Sequence, residues 1–167
     1  DEPFAVLLPD MLHHGAVPCL KEMIEAHEET GGNLVAVSPV PEDQTHLYGI
    51  VGVEDRDAKV SPITEMVEKP AKGTAPSNLH VTGRYVLEPE IFSLLATQDA
   101  GAGGEIQLTD AMIALQREKP GAFRAVRFDG AIYDCGSKIG FLLANVAYAL
   151  EREDLAPELR AALGRLV

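Results

Sequence analysis

The run Phe4-Ala5-Val6-Leu7-Leu8 is apolar at every position and stops at Pro9-Asp10. A strand with one wet face alternates apolar and polar residues, whereas a strand covered on both faces does not. The run therefore predicts a buried parallel strand of an α/β sheet, with Asp10 at its carboxyl end. Downstream, Val17, Leu20 and Ile24 recur at helical spacing until Thr30-Gly31-Gly32 stops them. Strands are expected over Leu34–Val40, Leu47–Val53, Val60–Val67 and Leu79–Leu87, and the Gly, Pro and Ser content of Ala71–Asn78 predicts a loop. Pro89 suits the first turn of a helix carrying Ile91, Phe92 and Leu95. A second helix is expected near Ile106–Arg117, beyond the turn Gly101-Ala102-Gly103-Gly104. Phe123–Tyr133, interrupted by Asp129-Gly130, resembles a strand pair with a tight turn. Ser137 is placed to cap a helix whose buried stripe is Ile139, Leu142, Leu143, Val146 and Leu150. A last short helix then carries Leu155, Leu159, Leu163 and Leu166. Strands alternating with helices around an inner block of strands predict an α/β fold with a mixed sheet, residues 1–167 forming a single domain.

Charge narrows the partners. Fourteen basic against 26 acidic residues give a net charge of −12 with no Lys/Arg cluster to track a phosphate backbone, so nucleic acid is not an expected partner. A small phosphorylated ligand is still compatible, provided a few cations or a metal ion meet it in a pocket. Cys19 and Cys135 are far apart and lack metal or redox spacing, which favours a reducing, cytoplasmic location. No apolar run approaches membrane-spanning length, and no membrane association is expected. The start, Asp1-Glu2-Pro3, has no methionine and leads at once into a core strand, so the chain reads as cut from something longer.

Ligands of open α/β sheets bind where strand carboxyl ends meet loops, which singles out Asp10 and Asp134. Mg²⁺ usually takes only one or two protein carboxylates and fills its remaining positions with water and phosphate, so two aspartates suffice for a site. The same residues also fit plain roles, Asp10 capping a turn and Asp134 supporting the loop before Ser137. In Glu68-Lys69-Pro70 the proline ends the strand and biases Lys69 towards extended backbone. The pair can border one pocket, with the carboxylate accepting sugar hydroxyls and the lysine meeting phosphate, or it can be a solvated ion pair. Tyr48-Gly49 and Thr82-Gly83 put glycine inside strands, a sign of close ligand approach or of a bulge. His13-His14, His27, His46 and His80 show no metal-ligand spacing, the adjacent pair reading as solvated loop residues, and no nucleophile elbow is present.

Seven segments in order resemble the bacterial glucose-1-phosphate uridylyltransferases, within the sugar-nucleotide pyrophosphorylases. They are Leu7-Leu8-Pro9-Asp10, Tyr48-Gly49-Ile50-Val51, Val67-Glu68-Lys69-Pro70, Ala75-Pro76-Ser77-Asn78, Gly83-Arg84-Tyr85-Val86-Leu87, Gly104-Glu105-Ile106-Gln107-Leu108-Thr109-Asp110-Ala111 and Asp134-Cys135-Gly136-Ser137-Lys138. The resemblance implies a Rossmann-like nucleotidyltransferase sheet flanked by helices, acting on UTP and glucose 1-phosphate to give UDP-glucose and pyrophosphate with Mg²⁺. By resemblance Asp10 is the principal metal ligand and Asp134 the second. Glu68 binds glucose hydroxyls and Lys69 the phosphate, while Tyr48, Gly49 and Gly83 line the sugar. Family members often form homo-oligomers, which is the expectation here.

The family's Gly-rich phosphate loop and base-reading residues have no counterpart in this chain. The expectation is a carboxyl-terminal portion that lacks the amino-terminal nucleotide-binding half, is inactive alone, and has an uncovered sheet edge or face that favours association. A thymidylyltransferase-type enzyme and a non-catalytic sugar-phosphate-binding module stay open as alternatives.

Overall fold

A computed structural model describes residues 2–101 and 104–166; the middle of the predicted Gly-rich turn, Ala102 and Gly103, lies outside them. Eight strands and five helices follow in the order β1 Phe4–Leu7, β2 Met11–His14, α1 Cys19–Thr30, β3 Asn33–Pro39, β4 Gly49–Val53, β5 Val60–Glu68, β6 Leu79–Leu87, α2 Ile91–Leu95, α3 Leu108–Glu118, β7 Phe123–Arg127, β8 Ala131–Asp134, α4 Lys138–Glu151 and α5 Ala156–Leu166, with a 3₁₀ turn at Glu42–Leu47. The main sheet has the order β1-β6-β3-β7-β5-β4, with a further pairing of β4 to β6. Among the described residues only β3 and β7 run parallel, so the sheet is mixed as expected.

Both faces of this sheet are covered, and β3 shows how. Alternate side chains of a strand point to opposite faces. Leu34 and Ala36 join Cys19, Met23 and Ala26 of α1, while Val35 and Val37 join Met112 and Leu115 of α3 on the other side. All four β3 residues are within about 1% of complete burial, which is why the strand reads as a continuous apolar run. The Cys19 thiol is carried into this layer, and burial pushes its pKa up to about 11, so it packs as a small apolar group. Among the described residues no helix is long and apolar enough to cross a membrane.

Four local expectations are corrected. β1 is not a buried parallel strand: it pairs antiparallel with β6 at the sheet's edge, and Leu7 and Leu8 are 48% and 39% exposed. Phe123–Tyr133 is not a hairpin, because β7 enters the main sheet beside β3 and β5 while β8 leaves it to pair with β2. Tight-turn chemistry at Asp129-Gly130 specifies a change of direction, not a partner. Leu47 closes the 3₁₀ turn, and strand β4 begins only at Gly49. In α4, Ser137 does cap the helix, its Oγ accepting from the Gly140 N–H at 3.0 Å. The expected buried stripe is open, however, with Ile139, Leu142 and Leu143 each more than half exposed and Ala144 the buried residue. Helical spacing reports an apolar stripe and is silent about what covers it.

The histidines of β2 are also corrected. His13 is part-buried, not solvated, and donates from Nε2 to Thr82 Oγ1 (2.9 Å), whose hydroxyl donates onward to the Ala36 carbonyl (3.1 Å). This pins the β2–β8 ribbon to β6. Burial and the nearby Arg84 cation lower the His13 pKa to about 4. Between an unfolded pKa of about 6.5 and that value, the unfolded chain binds a proton at His13 that the folded chain refuses. Stability is therefore expected to fall as the pH drops through this window, read as a declining urea midpoint. His13→Gln should flatten that slope, and an unchanged slope in the variant would remove His13 from the account.

Candidate functional site

β6 carries two partners on one edge. β1 pairs along its carboxyl half, ending with Leu7 opposite Arg84, and β4 pairs along its amino end, with Ile50 opposite His80. Between those registers no strand among the described residues lies beside the edge of β6 at Val81 to Gly83, where the Leu8 N–H donates to the Gly83 carbonyl at 3.0 Å. A cleft of about 420 Å³ opens there. Its walls are the carboxyl end of β1, the start of β4, the end of β5 and the start of α3. Asp10, Tyr48, Gly49, Glu68, Lys69, Gly83 and Asp134 all line it. Every residue that the resemblance assigns to a site thus borders one space.

Asp10 arrives on the loop between β1 and β2. Arg84 clamps that loop, donating to the carbonyl oxygens of Leu8 (2.8 Å), Gly83 (3.1 Å) and Met11 (2.5 Å). The Cys135 N–H donates to the Asp10 carbonyl at 2.7 Å, and the ribbon register sets Met11 opposite Asp134. The two aspartates consequently converge: a Cβ placed on Gly136 would lie 3.0 Å from Asp134 Oδ1 and 3.3 Å from Asp10 Oδ2. Asp134 also performs the plain role foreseen for it, Oδ1 accepting from the Gly136 N–H at 2.9 Å. No group of three metal-ligating side chains occurs among the described residues. Two carboxylates facing one point fit Mg²⁺, which completes its shell with water and phosphate.

Glu68 and Lys69 should face opposite sides of β5 if the strand simply continued. Lys69 instead has φ 45°, a correction to the extended backbone expected before proline. Its N–H is held by the Tyr48 carbonyl at 3.1 Å while Pro70 is buried, and the chain turns sharply between these anchors. The turn breaks the strand's alternation and brings both side chains to the cleft, Nζ 3.8 Å from Glu68 Oε1. Gly49 lies opposite Glu68 in the ladder, and a Cβ there would meet Glu68 Oε2 at 2.9 Å. Gly83, with φ 74°, allows Leu8 to pack directly on its backbone; a Cβ would sit 3.0 Å from Leu8 Cδ1.

Sequence reasoning assigned no role to Tyr85, Gln107 or Thr109, which also line the cleft. Their segments carried the family resemblance, yet alternation along β6 was the available signal: Val81, Gly83 and Tyr85 share a face. Burial, with the Glu68 charge second, pushes the Tyr85 hydroxyl up to about 12. The cleft's charged walls are three carboxylates, Asp10, Glu68 and Asp134, against the Lys69 ammonium. An anionic ligand entering there meets a net negative field unless a cation accompanies it.

Residues 1–151 match the family model described as nucleotidyl transferase. UTP–glucose-1-phosphate uridylyltransferase 2 of Staphylococcus saprophyticus is 50% identical over 159 residues, covering 95% of this chain and 54% of that protein. Among solved structures, UDP-glucose pyrophosphorylase from Acinetobacter baumanii aligns with a TM-score of 0.87 at 37% identity, over 99% of this chain and 57% of its own. A UDP-glucose pyrophosphorylase complexed with UDP-glucose aligns at 0.82 and 38% identity, over 90% of this chain and 57% of that one. This chain spans a little over half the length of these relatives.

Left-handed backbone costs a residue with a Cβ about 1–2 kcal/mol. Lys69→Gly is accordingly expected to be about 1 kcal/mol more stable than Lys69→Ala in urea unfolding, although both lack the ammonium. Equal stability of the two variants would mean that the turn at Lys69 stores no strain.

Proposed function

This chain belongs to the nucleotidyl transferase family, and we propose that it forms the sugar-phosphate side of a UTP–glucose-1-phosphate uridylyltransferase. The observation that carries the reading is the single cleft that gathers Asp10, Tyr48, Gly49, Glu68, Lys69, Gly83 and Asp134 from five separate segments. Relatives named for this activity, one of them complexed with UDP-glucose, support the choice of substrate.

In this reading Glu68 accepts hydrogen bonds from glucose hydroxyls, and Tyr48, Gly49 and Gly83 line the sugar. Lys69 meets the phosphate of glucose 1-phosphate. Asp10 and Asp134 are the residues that would hold Mg²⁺, which when bound offsets the negative charge of the phosphates. A phosphate oxygen of glucose 1-phosphate forms the new bond to the α-phosphorus of UTP, and the bond to the bridging oxygen breaks to release pyrophosphate. The nucleophile is already an anion, so no side chain has to remove a proton. Tyr85, held protonated well above neutral pH, is suited to donate and not to act as a base. The protein's work is to align two anions and to compensate their charge.

Calorimetric titration of the chain with glucose 1-phosphate in Mg²⁺ tests the reading. Charge-assisted hydrogen bonds contribute about 1.5–3 kcal/mol, so Lys69→Ala is expected to weaken binding by about tenfold or more. Asp10→Asn should abolish the dependence on Mg²⁺. An affinity indifferent to both substitutions would sink the assignment.

A further inference from the structure

A second space of about 240 Å³ adjoins the cleft, and Met11, Tyr48 and Asp134 wall both. It lies across β6 from Val81 and Gly83, on the face to which His80 points. His80 is only 7% exposed, and its ring lies 4.9 Å from that of Tyr48. Its Nδ1 is 2.7 Å from the Ser38 carbonyl oxygen. A carbonyl can only accept, so the ring proton sits on Nδ1 and leaves Nε2 as an acceptor. Burial lowers the pKa of this histidine and keeps the ring in that neutral form. No hydrogen bond of Nε2 occurs among the described residues, and the atom is not sealed from solvent as the unpartnered Nδ1 of His13 is.

The chemistry of this annex selects its occupant. Among the described residues its wall contains the Asp134 carboxylate and no lysine or arginine, which disfavours phosphate. The rest of its lining, Met11, Ser38, Pro39, Val40, Tyr48, His80 and Ile132, is uncharged and mixes polar with apolar groups, with an imidazole acceptor that wants a neutral donor. Position agrees: Gly49, placed in the sugar site, directly precedes Ile50, the register partner of His80. We propose that the annex is a sugar-hydroxyl subsite of the cleft, in which His80 Nε2 accepts a hydrogen bond from a hydroxyl of the bound sugar. His80 then contributes to the choice of sugar while Lys69 and the aspartates attend to the phosphate. This rests on the sugar-phosphate reading of the cleft.

The test is nitrogen-15 magnetic resonance of the labelled chain titrated with glucose 1-phosphate in Mg²⁺. The His80 Nε2 resonance is expected to move with the sugar phosphate and to stay put with inorganic phosphate. His80→Leu, which keeps bulk and removes the acceptor, should weaken glucose 1-phosphate by about tenfold, the upper range of a neutral hydrogen bond. His80→Gln, whose amide oxygen falls near the Nε2 position, should recover most of that loss. Among deoxy analogues of the sugar phosphate, the one lacking the bonded hydroxyl should bind the parent and His80→Leu equally. If the sugar phosphate shifts Glu68 and Lys69 resonances but neither His80 nor the affinity of His80→Leu responds, the subsite is disproved and the cleft reading stands. If no cleft resonance moves, the sugar-phosphate reading falls and takes the subsite with it.

Discussion

The shared edge of β6 is the constraint on which the site depends. One strand cannot pair continuously with two others on the same edge, so β1 and β4 must part, and they part at Val81 to Gly83. Main-chain groups left without a ladder are normally costly when buried. Here the Gly83 carbonyl is satisfied by the Leu8 N–H and by Arg84, and the remaining exposure opens onto the cleft. Because β1 and β4 both run antiparallel to β6, the end of the first and the beginning of the second face each other across this gap. Asp10 and Gly49 are brought to opposite walls by that topology alone, and β5, paired to β4, delivers Glu68 and Lys69 beside them.

A second pairing completes the charge arrangement. The β2–β8 ribbon is too short to persist alone, since an isolated two-stranded element is marginal in water. It is held by the His13–Thr82 bond and by Arg84, which reaches across to Met11. That attachment makes the approach of Asp134 to Asp10 a property of the whole fold and not of one loop. In the proposed function, a cation held by Asp10 and Asp134 would offset the negative charge that the ribbon brings to this end of the cleft. At Lys69, backbone in an unfavourable region turns the side chain towards the cleft.

Legibility in the sequence followed the range of the interactions involved. Element type was readable wherever one residue's environment was set locally: the helix stop at Gly31, the cap at Ser137 and the strands β3, β5 and β6. Partners were not. Nothing local distinguishes an edge strand whose apolar residues await cover from a central one, so β1 read as buried. Nor does any local pattern say that β7 and β8 separate into different sheets. β2 escaped notice because its histidines and Met11 lack the alternation of a half-buried strand; the ribbon exists through tertiary bonds to β6. The candidate site was legible as a set of residues only because their order resembled a family. Their convergence, Lys69's left-handed turn, and the places of Tyr85 and His80 required the fold.

The two readings of Glu68-Lys69, solvated ion pair or ligand clamp, turn out not to compete. The ammonium and carboxylate are 3.8 Å apart with side chains 66% and 43% exposed, a loose pair of the kind that contributes about 1 kcal/mol or less. A tighter, buried pair would have to be broken, at substantial cost, before either partner could bind anything else. In the proposed function, the weakness of this pair leaves Lys69 able to exchange a carboxylate for a phosphate, while Glu68 turns to neutral hydroxyls. In a chain of net charge −12, the proposed binding of a phosphorylated sugar would rest on this local exchange and not on the global field.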